Sequence, residues 1–363
     1  MSIADKLLTV AENQKTVFDA GYNKGYEEGL KNAEPDPSQL EGILITDGRK
    51  KLYRFFEDLG PWEFYRYEWN DDAQMDVPVE NELTPIDIPF PAGTKNIKDF
   101  SNFATTTAYL YDYPEDIGIP VRNFTGTLDA AGAKSFSSAF TNCKYLEDGG
   151  NIINTSGVEN FNSMYGYCPN LKRVCELDLS SATNVDYMFT GCTELEEVSL
   201  VNIPALTGYY ALFQGCEKLK SFPTFDFSKT YSYPSMFRSC KGMVTAPENI
   251  GIADKTNMNI SYLFRDCINL KTVPCITINP NTTCTDTFYN CPALENITFK
   301  GLIGKTISFS TSPLLTHDSL MSIINALQPK TSGTFKLMLG ATNLAKLTDE
   351  EKLMITNKGW QVS

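Results

Sequence analysis

The chain has 363 residues, of which 42% are hydrophobic and 12% aromatic, and it carries a formal net charge of −13. This composition is typical of a folded protein rather than a disordered one. The negative charge argues against nucleic acid and anionic membrane surfaces as partners, because both are bound through clustered Lys and Arg. The sequence has no apolar run of about 18 residues, so we expect no membrane insertion. The opening MSIADKLLTVAENQ has early acids and lacks the apolar core of a secretory signal, which favours assembly in the cytoplasm.

Residues 1–33 are predicted to form a helical attachment segment. Apolar residues recur at heptad spacing, and glycines spaced four residues apart follow them. Glycine costs about 1 kcal/mol per helical position relative to alanine, and the close approach of another helix would offset that cost. We therefore expect a homo-oligomer, for example a trimer, or docking to another protein; a frayed amphipathic helix is the alternative. The residues concerned are Ile3, Leu7, Val10, Val17, Gly21, Gly25 and Gly29.

Residues 34–135 are predicted to be a β-rich region, aromatic and acidic, that ends in degenerate capping repeats. The stretch PWEFYRYEW contains Trp62, Tyr65, Tyr67 and Trp69 among acidic residues. Exposed aromatic rings beside acids are suited to stacking on sugars or to forming a protein interface, and packing in a core is the alternative. The neighbouring acids do not follow the spacing of an EF-hand loop, so the pattern does not favour a calcium site.

Residues 136–299 contain seven copies of one pattern. Each copy has an aromatic residue three positions before a cysteine and Leu or Met three positions after it, as in MFTGCTELEEV. Successive cysteines are 24 to 27 residues apart. A period of roughly 20 to 29 residues is typical of leucine-rich repeats, whose coils stack around a shared core. The cysteines are Cys143, Cys168, Cys192, Cys216, Cys240, Cys267 and Cys291.

The spacing of these cysteines predicts a structural ladder inside the stack, because free cysteine packs as a small buried hydrophobe. A zinc site needs about four ligands at short spacings, which the sequence lacks. A catalytic cysteine needs a base, and the single histidine, His317, lies outside the repeats at a predicted helix start. We therefore predict no metal, no cofactor and no catalytic residue. A disulfide between Cys275 and Cys284 remains open.

Residues 300–363 are predicted to be a small α+β cap. THDSLMSIINAL and LTDEEKLMITNKGW have helical patterns, the second with Thr348 as N-cap, and TISFSTSPL and TFKLMLG are strand-like. A stack of repeats needs a distinct end unit to cover its last core face. The predicted fold class is therefore an α/β repeat: a leucine-rich-repeat solenoid with an N-terminal helix and a small α+β C-terminal cap.

The MFxxCxxLxxV coils resemble BspA-like leucine-rich repeats. The opening MSIADKLLTVAENQKTVFDAGYNKGYEEG and the ending LGATNLAKLTDEEKLMITNKGW are similar to the termini of repeat proteins encoded by bacteriophages and prophages of gut Firmicutes. The resemblance implies a non-enzymatic, virion-associated protein of the tail, baseplate or fibre, assembled in the bacterial cytoplasm. It also implies other virion proteins, further copies of the chain, and a host surface glycan or protein as partners.

The strand side of the stack is the predicted recognition surface. Side chains that alternate with apolar residues along a strand point outward, which selects Arg173, Glu197 and Ser199 in addition to the aromatic residues at 62–69. Two other classes of function remain as alternatives. A bacterial cell-surface adhesin would use the same repeats, and a glycan-degrading enzyme would need two carboxylates facing each other across a cleft.

Overall fold

A computed structural model describes residues 65–70, 75–83, 86–90, 95, 98–101, 103, 121–251, 258–331 and 333–363. The predicted attachment segment 1–33 and Trp62 lie outside these residues. Within the described part, no helix is both long enough and apolar enough to cross a membrane.

The centre of the described chain is a stack of similar coils, numbered here 1 to 7 after the cysteines from Cys143 to Cys291. The eight residues before each cysteine are called its turn segment. Alternate N–H groups of this segment donate to carbonyls of the following coil. Phe189 donates to Leu212 at 3.0 Å, for example, and Gly191 donates to Gln214 at 2.7 Å. Each coil is therefore fixed by its neighbours along the stack.

The turn segment has an unusual backbone. In every coil, the residues five and one positions before the cysteine have positive φ, as Tyr187 (59°) and Gly191 (75°) do in coil 3. Most of these positions are occupied by residues other than glycine, although side chains disfavour this left-handed region by roughly 1–2 kcal/mol per residue. The hydrogen bonds to both neighbouring coils hold the segment in that conformation.

Short strands complete the coils, and most of them pair in parallel with the equivalent strand of the next coil. An antiparallel pair, β1 with β2, precedes the stack. The strands in chain order are β1 (Tyr65–Asn70), β2 (Met75–Leu83), β3 (Ile86–Pro89), β4 (Val121–Thr125), β5 (Thr127–Asp129), β6 (Asn151–Ile153), β7 (Leu177–Asp178), β8 (Leu200–Val201), β9 (Thr272–Ile278) and β10 (Asn296–Gly301). Short 3-10 helices span Thr155–Gly157 and Phe227–Lys229.

Equivalent core residues form continuous rows along the stack. One row consists of stacked aromatic rings, from Phe140 in coil 1 to Phe288 in coil 7, with centroids 5.0 to 6.1 Å apart. The seven ladder cysteines form a second row and have no exposed surface. From coil 2 onward, each ladder thiol donates to the carbonyl of the ring residue in the preceding coil, at 2.9 to 3.2 Å. All ten cysteines are free, including Cys275 and Cys284.

Aromatic side chains also cover the first coil. Phe100 stacks on Phe136 with centroids 4.7 Å apart, and Phe90 stacks on Phe124 at the same distance. These rings continue the core toward the N-terminus, where the sequence predicts degenerate capping repeats.

At its other end, the stack continues past residue 299, where the sequence pattern predicts the end of the repeats. Phe309 stacks on Phe288 with centroids 4.9 Å apart, and Ser312 and Leu315 are buried at the positions of the cysteine and leucine. The Ser312 N–H donates to the Phe309 carbonyl at 2.9 Å, the bond that Cys192 makes to Phe189 in coil 3. The sequence pattern places the end of the repeats at residue 299 because it requires a cysteine, and this coil has serine in its place.

The C-terminal unit is a three-stranded parallel sheet in which strands and helices alternate. Alternation of this kind is typical of α/β arrangements, whereas the sequence pattern predicts a small α+β cap. The threonines Thr316 and Thr348 cap α1 and α3, and Thr348 forms a capping box with Glu351. The elements in chain order are β11 (Ile307–Ser308), α1 (His317–Ala326), β12 (Phe335–Met338), α2 (Gly340–Leu344), α3 (Asp349–Asn357) and β13 (Trp360–Val362).

Candidate recognition surface

Arg173 and Glu197 lie next to each other on the strand side of coils 2 and 3. Each is five residues after its cysteine, and parallel bridges join them in one row with Asp148 of coil 1. Arg173 Nε donates to Asp148 Oδ2 at 2.7 Å. This hydrogen bond and the Asp148 charge raise the pKa of Arg173, with a further contribution from Glu197. The row thus presents alternating negative, positive and negative charges.

Ion pairs between neighbouring coils extend this pattern over the outer surface. Lys172 pairs with Glu147 and Lys241 with Glu217, each at 2.7 Å, and Lys218 pairs with Glu194. Exposed pairs of this kind typically contribute about 0–1 kcal/mol to stability. Their main effect is therefore on the charge pattern that a partner meets.

Two adjoining shallow grooves open beside Arg173. The first, of about 340 Å³, is lined by Asp148, Asn151, Arg173 and Cys175 together with apolar and glycine residues. The second, of about 370 Å³, shares Asn151 and Cys175 and continues to Asp178. Grooves of this size can hold a small ligand or a segment of a larger one.

Hydrogen bonds fix the polar groups of the second groove. Asn154 Nδ2 donates to Asp129 Oδ1 at 2.8 Å, and Asn202 Nδ2 donates to Asp178 Oδ2 at 3.0 Å. The Ser180 hydroxyl also donates to Asp178 at 2.6 Å and holds its pKa below the usual range. The carboxylate of Asp178 is therefore ionised at neutral pH and fixed in orientation.

Cys175 lines both grooves, and its thiol is bonded to the backbone of Ile152. Its sulfur accepts a hydrogen bond from the Ile152 N–H at 3.3 Å and lies 3.4 Å from the Ile152 carbonyl. Burial raises the pKa of Cys175, so the reactive thiolate is rare at neutral pH. Among the described residues, no group of His, Cys, Asp and Glu is arranged to hold a metal ion.

The structure places only some of the predicted recognition residues. Ser199 is exposed beside Glu197, and its carbonyl accepts a hydrogen bond from the Leu177 N–H at 2.9 Å. Tyr65, Tyr67 and Trp69 belong to β1, but their side chains, like Trp62, lie outside the described part of the chain.

The sequence pattern does not select Asp148, Asn151 or Asp178 as recognition residues. Asp148 carried a usable signal, because it is five residues after its cysteine, as Arg173 and Glu197 are. Asn151 and Asp178 do not lie at this position relative to a cysteine, so the sequence gives no comparable signal for them.

Residues 134–250 match a family model described as "Mycoplasma protein of unknown function, DUF285". The match covers about a third of the chain and corresponds to coils 1 to 5. It is compatible with a BspA-like repeat protein. Neither the curated proteins nor the solved structures contain a match to this chain.

Proposed function

We propose that this protein is a leucine-rich-repeat solenoid of the BspA type that serves as a non-enzymatic virion protein of a bacteriophage. In this proposal it belongs to the tail, baseplate or fibre, docks through residues 1–33 and presents its strand side for recognition of a host or protein partner. The virion assignment depends on the resemblance of the two termini. The observation that carries the recognition role is the row formed by Asp148, Arg173 and Glu197 beside the two grooves.

Rigidity supports a binding role for this surface. The row and the grooves lie on backbone that hydrogen bonds hold to adjacent coils; the Lys172 N–H, for example, donates to the Glu147 carbonyl at 2.9 Å. A surface that is already ordered loses little conformational entropy when a partner binds. Stacked repeats in general present extended surfaces of this kind to their partners.

A bacterial cell-surface adhesin is the alternative, and mass spectrometry of purified phage particles from the same genome distinguishes the two. We expect the protein in the particles and not in the washed cell-envelope fraction. We also expect that a chain lacking residues 1–33 keeps the thermal melt of its repeats but no longer enters particles and no longer oligomerises, as measured by light scattering. Detection only in the cell envelope would favour the adhesin. If the truncated chain still enters particles, residues 1–33 are not needed for docking.

Replacing Arg173 with alanine tests the recognition surface itself. We expect adsorption of the purified protein to host cells to fall about tenfold, because the centre of the charge row is lost. The melting temperature should barely change, since an exposed ion pair contributes little to stability. The matched control is Lys241→Ala, which breaks an exposed pair of similar length in a different row. Equal adsorption of R173A and the unmodified protein would place recognition elsewhere.

A further inference from the structure

Three tyrosines from consecutive coils lie together on the turn segments, away from the Arg173 row along each coil. Tyr167 belongs to coil 2, Tyr187 to coil 3 and Tyr210 to coil 4. Tyr167 and Tyr210 are 53% and 42% exposed, and Tyr187 is half-buried. The ring centroids of Tyr187 and Tyr210 are 4.9 Å apart. We call these three residues the tyrosine patch.

Two glycines lie beside the patch, one covered by a tyrosine ring and the other free of side chains. Gly191 and Gly215 occupy the row of Tyr167 in coils 3 and 4, with φ of 75° and 77°. A Cβ atom on Gly191 would lie 3.1 Å from Cδ1 of Tyr167, so the Tyr167 ring extends across this glycine. A Cβ atom on Gly215 would meet only the backbone of Gly191. A ligand can therefore approach the rings over bare backbone.

Polar groups adjoin the rings at fixed positions. Asp186 Oδ1 accepts a hydrogen bond from the Tyr210 N–H at 2.7 Å, and Asn162 Nδ2 donates to the Asp186 carbonyl at 3.2 Å. Burial and the hydrogen bond to Tyr210 raise the pKa of Tyr187 to about 12, so its hydroxyl is uncharged at neutral pH. The patch thus combines aromatic faces with a carboxylate, an amide and the uncharged hydroxyl of Tyr187.

We propose that the tyrosine patch binds a neutral oligosaccharide. The C–H faces of a sugar ring pack on aromatic rings, while its hydroxyls bond to planar carboxylate and amide groups. The rings of Tyr187 and Tyr210, which belong to adjacent coils, have centroids 4.9 Å apart, close to the length of one sugar unit in an extended glycan. Tyrosines from successive coils can therefore contact successive sugars.

The chemistry around the patch selects this class of ligand. The carboxylate of Asp186 would repel an anionic sugar, which favours a neutral one. The patch stands apart from the Arg173 grooves, so this inference does not depend on the function proposed for them.

The test is binding of the full chain to an array of neutral oligosaccharides containing α- and β-linked hexoses and N-acetylhexosamines, followed by calorimetry with the member bound most tightly. We expect Tyr210→Ala to weaken that binding at least about tenfold and Tyr210→Trp, which keeps an aromatic face, to preserve it. Tyr231→Ala is the matched control, because Tyr231 is also 42% exposed but lies outside the patch. Thermal melts of each variant verify that the coils remain folded.

Binding to no neutral member of the array would overturn the proposal. Equal affinity of Tyr210→Ala and Tyr231→Ala for the chosen oligosaccharide would also overturn it, because the tyrosine patch would then make no contribution of its own.

Discussion

Replacing Phe213 with alanine is expected to lower the free energy of unfolding by about 3–5 kcal/mol, as for other fully buried aromatic residues. Phe213 has no exposed surface and stacks between Phe189 and Phe237, with centroids 5.6 and 6.1 Å away. Phe222 meets its edge at 5.4 Å. Truncation therefore removes contacts on several sides at once, and the coils above and below cannot close the gap without breaking their own hydrogen bonds.

Urea unfolding followed by circular dichroism measures this effect. Phe213→Leu serves as the control for volume and should cost clearly less, because it retains most of the apolar surface. Since stability in stacked repeats depends on interfaces between neighbours, the loss should spread to coils 3 and 5 and increase their hydrogen exchange. An unchanged unfolding curve for Phe213→Ala would contradict the continuous ring row.

The free energy of unfolding is expected to fall steeply above about pH 9, which is the ordinary pKa of a cysteine thiol. Burial raises the pKa of the ladder thiols, to about 12 for Cys291 and well above 9.0 for Cys168, Cys192, Cys216, Cys240 and Cys267. A raised pKa means that the folded chain retains protons that the unfolded chain releases. The resulting stabilisation is complete below the unfolded pKa and is lost as the pH rises through the folded values.

Each such thiol lowers the free energy of unfolding by about 1.4 kcal/mol per pH unit within this window. Urea unfolding at several pH values between 7 and 11 gives the slope of the free energy of unfolding against pH. Replacing Cys192 with alanine should reduce this slope by the contribution of one thiol. Lysines and tyrosines also titrate in this range, so the difference between the two proteins is the informative quantity. Equal slopes, or rapid labelling of the ladder cysteines by a thiol reagent at pH 7 without denaturant, would contradict their burial as protonated groups.

The rows of the core follow from positions that the sequence displays. Phe189, Cys192 and Leu195 recur at a nearly constant spacing, and residues at equal positions of stacked coils lie above one another. Phe309 and Leu315 of the coil that follows coil 7 keep this spacing. Ser312 occupies the cysteine position of that coil, so a pattern that requires cysteine does not detect it. The Ser312 hydroxyl is buried without a hydrogen-bond partner, which is a local cost that no sequence pattern reveals.

The outer surface was less predictable for a physical reason. The left-handed position five residues before each cysteine is occupied by Ser163, Tyr187, Ala211 and Asp286 in different coils, and these residue types share no preference that marks the backbone. The tyrosine patch likewise combines different positions of three coils: one residue before the cysteine for Tyr167, five for Tyr187 and six for Tyr210. Which side chains of adjacent coils meet depends on how far one coil is shifted sideways relative to the next. The repeat period alone does not specify that shift.

The interval between Cys240 and Cys267 is three residues longer than most of the others. Phe237 and Phe264 nevertheless stack with centroids 5.9 Å apart, the same as Phe264 and Phe288 across an interval of ordinary length. The extra residues fall between the turn segments of coils 5 and 6 in the sequence, and the stacked rings keep their register. Mutation can therefore lengthen or shorten a coil between its turn segments without displacing the stacked rings. A lineage of such proteins can diversify its exterior rapidly while the interior stays the same.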